Sequence, residues 1–428
     1  MPRLLYSLIF TLCLPLVVVR LLYRAWRAPA YARRWSERFA LGGDVRSGGI
    51  WVHAVSVGES IAAAPMVRAL LERYPQLPVT MTCMTPTGSE QIRKLFGGRV
   101  GHAYLPYDLP WLQRRLIRRL QPQVAIIMET ELWPNLVAEC KRAGVPVVLA
   151  NARLSERSAR GYNRVSVLVR PMFAALDWVA VQTHAEAARF RELGVPEAAM
   201  TVTGSIKFDL QPTPETLAQA AELRRSWGTR PVWIAASTHA GEDEQVLAAH
   251  RQVLLTQPEA LLVLVPRHPE RFDNVARLAQ DAGFSVVRRS EQRLPAVTDQ
   301  VFLGDSMGEL MMFYGCADIA FVGGSLVATG GHNYLEPAAL GLPILSGPHR
   351  FNFTEISELL EGAGALVEVD GADALAEQVV LWLEQPGRAR NAGAAGQAVV
   401  RANQGALQRL LEGVGRFVVK VPSGSEES

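Results

Sequence analysis

A chain of 428 residues is longer than one ordinary hydrophobic core organises, and it is expected to form two domains of roughly 200 residues each. Its composition, 49% apolar and 20% charged, excludes a disordered chain and a polytopic membrane protein. The near balance of 44 basic against 41 acidic residues says little in total, but the basic residues crowd the first forty positions, where Arg20, Arg24, Arg27, Arg33, Arg34 and Arg38 face only Glu37.

Residues 4–19 form an uncharged, mostly apolar run that contains Pro15 and is followed at once by arginines. It falls slightly short of the ~20 residues of a spanning helix, though Arg3 and Arg20 can snorkel to extend it. A secretory signal carries its positive charge before the apolar stretch; here the cluster follows, which disfavours cleavage and places the rest of the chain on the cytoplasmic side. The segment 1–27 is therefore read as an uncleaved anchor, with spanning or partial insertion left open.

From residue 50 onward, short β-rich runs alternate with helical stretches. Strands are expected at 50–55, 79–83, 124–128, 145–150 and 178–181, with helices at 61–73, 109–120 and 132–143. Buried strands between amphipathic helices indicate a parallel sheet covered on both faces. The pattern breaks at 207–216, which carries two prolines and reads as a linker. A second series follows, with strands at 232–236, 261–265, 285–287, 301–303, 319–322, 343–345 and 365–367, and a helical tail at 389–417. The domains are thus 28–212 and 213–428. Two doubly wound domains in tandem are expected to bind ligands at the C-terminal edges of their sheets, in a cleft between them. The four cysteines form no Cys-x-x-Cys pair, and no His-x-x-x-His or Asp-rich motif occurs, so neither a disulfide framework nor a metal site is expected.

Six stretches carry candidate chemistry. In the first, HAVSVGE (53–59), a strand turns through Gly58 into a helix whose first turn holds Glu59. That suits a general base, but a glutamate there also stabilises a helix N-terminus, and the dipole would hold its pKa low. The motif METELWPN (128–135) ends a buried strand with Glu129 and Glu131, which the spacing does not separate. In GSIKFD (204–209), Lys207 can meet an anionic group or be an ordinary surface lysine. In PRHPERF (266–272), Arg267 is placed to meet a phosphate, while His268 alone more often has a structural role. GDSMGEL (304–310) offers Asp305 or Ser306 as a helix N-cap, with the N–H groups of Met307, Gly308 and Glu309 forming an anion site. GGHNYLEPAALGLP (330–343) has glycines that let the backbone approach a phosphate, and Glu336 can accept hydrogen bonds from a ribose. Three such loops on one domain point to a nucleotide pocket.

Together these motifs resemble the Kdo transferases, which attach 3-deoxy-D-manno-oct-2-ulosonic acid (Kdo) to lipid A precursor, over nearly the whole chain. The resemblance implies a GT-B fold of two tandem Rossmann-like domains behind an N-terminal membrane-anchor helix at the cell inner membrane. It implies transfer of Kdo from CMP-Kdo, with inversion, to the glucosamine disaccharide of lipid IVA, without metal, cofactor or nucleic acid. It implies Glu59 as the base, with Glu129, in preference to Glu131, and Lys207 stabilising the transition state. Arg267, His268, Met307, Gly308, Glu309, Asn333, Tyr334, Leu335 and Glu336 would hold CMP. A UDP-sugar transferase or epimerase is the main alternative, and a non-catalytic scaffold ranks last because the motifs are intact.

Overall fold

The computed structural model describes residues 2–419. It contains two compact units: one comprises the chain up to Lys207 together with the segment from Gln404 onward, the other Phe208–Asn403.

The first unit is built on a seven-stranded sheet of β1 (Ile50–His53), β2 (Val79–Cys83), β3 (Gly101–Tyr104), β4 (Val124–Met128), β5 (Val147–Ala152), β6 (Trp178–Val181) and β7 (Met200–Val202). Their order is β3-β2-β1-β4-β5-β6-β7, and every pairing between them is parallel. Residues of β1, β2, β4, β5 and β6 are buried throughout, because helices cover both faces. Edge strands β3 and β7 were not expected from the sequence. They are three or four residues long, one opens on glycine, and the other is half-exposed, so neither shows a continuous apolar run.

The second unit repeats the plan with β8 (Val232–Thr238), β9 (Leu261–Pro266), β10 (Val286–Arg288), β11 (Val301–Leu303), β12 (Ile319–Val322), β13 (Ile344–Ser346) and β14 (Leu366–Glu368). The order β10-β11-β9-β8-β12-β13-β14 is again all parallel. In each sheet the order reverses beside the first strand, between β1 and β4 and between β8 and β12. Loops leaving those strands part to opposite faces there and leave room for a ligand.

The expected end of the second domain needs correction. The second domain does not run from 213 to 428: its last long helix stops at Asn403, and the helix Ala406–Val414 returns to the first unit. Ala406, Leu410 and Val414 line one face of that helix and are buried with Leu70 and Trp178 of the first unit, apolar area that would otherwise meet water. Gly413 makes the seat possible, since a Cβ there would lie 2.0 Å from the Trp178 ring. Segment 1–27, in turn, is a single helix, Pro2–Arg27, but it does not stand apart from the domain. Phe10, Leu14 and Val17 pack against the first core, and Tyr6 and Ser7 donate hydrogen bonds to Asp108 and Asn135, each at 3.1 Å. By length and composition it is the one described helix able to cross a membrane, with mean hydropathy 2.2 over its most apolar window.

Candidate active site

In the first unit, β1 delivers the chain to Ser56, whose hydroxyl caps the helix Val57–Arg73 by accepting the Glu59 N–H at 3.4 Å. The Glu59 side chain turns back: its Oε2 accepts the Val55 N–H at 2.8 Å and its Oε1 the Ser56 hydroxyl at 3.1 Å. This reciprocal cap fixes the carboxyl above the point where the strand order reverses. Glu59 is only 9% exposed, and burial pushes its pKa up to about 7, against the Val55 N–H and with the help of the nearby Glu131 and Glu129. The low pKa anticipated from the helix dipole is thereby corrected. Desolvation of a nearly buried carboxylate outweighs the dipole here.

Glu129 and Glu131 follow β4, the strand beside β1, so the fold gathers three carboxyls at one place. Glu129 adopts a left-handed conformation (φ 55°), an uncommon and costly state for a residue with a β-carbon, and its N–H is tied to the Ala150 carbonyl at 2.9 Å. Burial raises the pKa of Glu131 as well, opposed by a hydrogen bond from Trp133. Lys207 lies on the short 3₁₀ turn Ile206–Asp209. That turn is hung from the end of β5, where the Asn151 side chain accepts the Ile206 N–H at 3.1 Å. Lys207 and Glu129 are thus both anchored to the last residues of the same strand.

In the second unit, the loop after β8 supplies residues that the sequence reading passed over. His239 stacks on His332 with ring centroids 5.1 Å apart and planes 7° apart, and their Nε2 atoms are 2.8 Å apart. One ring must donate and the other accept. His268 also meets His239, edge-on, with ring centroids 5.4 Å apart. Burial lowers the pKa of His332 to about 4, and His239, Arg267 and His268 add to this, so the His332 ring is neutral near pH 7. Beneath the pair lies Glu242, fully buried, whose carboxylate accepts the N–H groups of His239 (2.9 Å), Gly324 (2.6 Å), Ser325 (2.9 Å) and Leu326 (2.8 Å). It ties the loop after β8 to the glycine-rich loop after β12, across the second reversal point. Gly324 takes φ 70°, a conformation strained for any residue with a side chain, and a Cβ there would press on the His332 ring at 3.0 Å. The signal available in the sequence was the polar run Ser237–Asp243 closing a fully buried strand.

The expected donor residues divide. Arg267 and His268 stand exposed at the end of β9, with the Arg267 N–H held by the Thr238 carbonyl at 3.0 Å. Glu336 is bonded by Asn333 at 3.1 Å; burial raises its pKa while Asn333 and Arg267 lower it. Tyr334 and Leu335 turn their side chains into the core, Tyr334 bonding Ser346 at 2.7 Å, so those side chains are closed to a ligand. The expected cap at Asp305 or Ser306 is corrected: the helix there begins only at Leu310 and runs six residues to Gly315. Asp305 is instead held by Arg288 and Ser290, and Glu309 by Arg289 at 2.8 and 3.0 Å. The Glu309 side chain is thus occupied, and the neighbouring main chain turns through Gly308 at φ 91°. Among the described residues no group of three or more His, Cys, Asp or Glu side chains is arranged to hold a metal ion.

Two Rossmann-like units, each with charged groups over its reversal point, form the architecture of GT-B glycosyltransferases. The family model for 3-deoxy-D-manno-octulosonic-acid transferase (kdotransferase) matches residues 33–210, and that for glycosyl transferases group 1 matches residues 238–399. A 3-deoxy-D-manno-octulosonic acid transferase of Haemophilus influenzae is 46% identical over 415 residues, covering 96% of this chain and 97% of that one. Its counterpart in Bordetella pertussis is 40% identical, over 85% of this chain and 86% of that one. The UDP-GlcNAc 2-epimerase of Neisseria meningitidis superposes with a TM-score of 0.56 at 12% identity, covering 86% of this chain and all (100%) of that one, a likeness of fold alone. The chain belongs to the Kdo transferase family of lipopolysaccharide biosynthesis.

Proposed function

We propose that this enzyme moves Kdo from CMP-Kdo to a hydroxyl of the glucosamine disaccharide of lipid IVA, with inversion at the anomeric carbon. Glu59 is the base. The observation that carries this reading is a rigidly capped carboxyl with a pKa near 7, placed over the reversal point of the first sheet. A base is most effective when its pKa lies close to the working pH, and burial has moved Glu59 there.

In the reaction the acceptor hydroxyl gives its proton to Glu59 as its oxygen bonds the anomeric carbon. The bond from that carbon to the CMP phosphate breaks on the opposite face, and its electron pair leaves with CMP. Charge develops positively on the sugar ring, which Glu129 is suited to offset, and negatively on the leaving phosphate. In the second unit Arg267, His268 and the main chain at Met307–Glu309 are suited to the phosphate, and Asn333 and Glu336 to the ribose. Lys207 supplies a positive charge for an anionic group. No metal is required on this account, because the phosphate is held by cations and N–H donors. We place the enzyme on the cytoplasmic side of the inner membrane, attached through its N-terminal helix. The test is Glu59→Gln, which should bind CMP yet lose transfer; full activity would remove Glu59 from the role of base.

A further inference from the structure

We infer that the N-terminal helix Pro2–Arg27 lies in the plane of the membrane surface, flush against the first unit, and that its partner is a leaflet of anionic phospholipid. The inference rests on the membrane attachment proposed above and adds its geometry. The side of the helix that meets the protein is a continuous stripe. Tyr6 and Ser7 bond Asp108 and Asn135, Phe10, Leu14 and Val17 pack on the core, and Leu21 is buried. Steps of three and four residues keep this stripe on one face, and it extends about 22 Å at 1.5 Å per residue.

A helix crossing the bilayer needs about 30 Å of hydrocarbon around it on all sides. Crossing here would draw into that layer the groups to which the helix is bonded. Asp108 is fully buried and accepts the N–H groups of Asn135 (3.0 Å) and Leu136 (2.9 Å), closing the start of the helix Pro134–Arg142. Tyr6 and Ser7 would have to leave these partners, or the partners would have to enter lipid, and either costs several kcal/mol. The opposite face needs no such compromise. Leu5, Leu8, Leu12, Leu16, Val19 and Trp26 are each more than half exposed and recur at helical spacing. The helix contains no acidic residue, and Arg20, Arg24 and Arg27 border its apolar face, the pattern of a helix seated among anionic headgroups.

The placement has a consequence for the acceptor. Asp108 lies beyond the end of β3 and Asn135 just beyond the end of β4, so the helix begins at the sheet edge that carries Glu59 and Glu129. A lipid-held sugar is then presented at the level of the base without leaving its leaflet.

The test uses the full chain with Cys13→Ser and Arg3→Cys, because Cys83, Cys140 and Cys316 are buried. A membrane-impermeant maleimide should label position 3 in inverted inner-membrane vesicles and not in right-side-out ones. The purified chain should also sediment with vesicles containing anionic lipid. Labelling only from the periplasmic side, with sedimentation intact, overturns the in-plane geometry and leaves membrane attachment standing. Failure to sediment with vesicles, or burial of the apolar face against a second copy of the chain, overturns the attachment itself.

Discussion

Glu59 Oε2 accepts the Val55 backbone N–H at 2.8 Å, so the proposed base and the end of the strand that carries it form one closed turn. The carboxyl must be ionised to accept a proton. Since burial places its pKa near 7, kcat/KM should rise with pH up to about 7 and then level off. Glu59→Gln should cost about 10²–10⁴-fold in kcat with CMP affinity kept. Stability runs the opposite way. The carboxyl's pKa is raised from 4.5 to about 7 on folding, so its contribution is full below 4.5 and lost as pH rises through 7. Thermal melts should therefore show Glu59→Gln gaining on the parent chain between those pH values.

Glu242 receives four backbone N–H groups, and the glycine-rich loop after β12 depends on it. An amide in its place would turn an N–H₂ group toward those donors. We expect Glu242→Gln to cost about 3 kcal/mol, lowering the melting temperature by about 6–12 °C in a unit of this size. CMP binding, followed by calorimetry, should weaken in the same variant.

His239 and His332 share one hydrogen bond, so a ligand bound by either ring is expected to feel both. His239→Ala should raise the KM for the sugar nucleotide about tenfold, as expected for the loss of one hydrogen bond to a charged group. The double variant with His332→Ala should cost less than the sum of the single changes. Strict additivity in steady-state kinetics would show that the two rings work independently.

Gly413 lies against the Trp178 ring. Gly413→Ala should unseat the last helix from the first unit at a cost of about 1–3 kcal/mol. The emission of Trp178, now 3% exposed, should shift to the red relative to the parent chain.

Removal of divalent cations bears on the metal-free account. Transfer by the purified enzyme should persist in excess EDTA, because Arg267, His268 and backbone N–H groups are assigned the phosphate. Loss of transfer that magnesium restores would contradict that assignment.

Much of the architecture was legible because buried parallel strands must be apolar on both faces. The runs at 79–83, 124–128, 178–181 and 319–322 coincide with strands to the residue. Edge strands lack that requirement: β10 and β14 still left short apolar runs, whereas β3 and β7 left no signal. The motifs were legible as strand ends followed by polar residues, and the family resemblance built on them is matched by close relatives along the chain.

Other features depend on atoms distant in sequence. Whether Glu59 is an acid-resistant cap or a base with pKa near 7 turns on burial and on Glu131 and Glu129, some seventy residues away, which no local pattern reports. The same holds for Glu242, three of whose four N–H partners lie more than eighty residues downstream, and for His239 with His332. The last helix looked like the end of the second domain because its amphipathic pattern names an apolar face but not the surface that covers it. Periodicity and composition thus determined the two sheets, the apolar N-terminal helix and the positions of the candidate loops. Only the tertiary structure decided which carboxyls ionise, which imidazoles pair and what each apolar face rests on. Desolvation and hydrogen bonding are set by neighbours in space, whereas strand and helix patterns are set by neighbours in the chain.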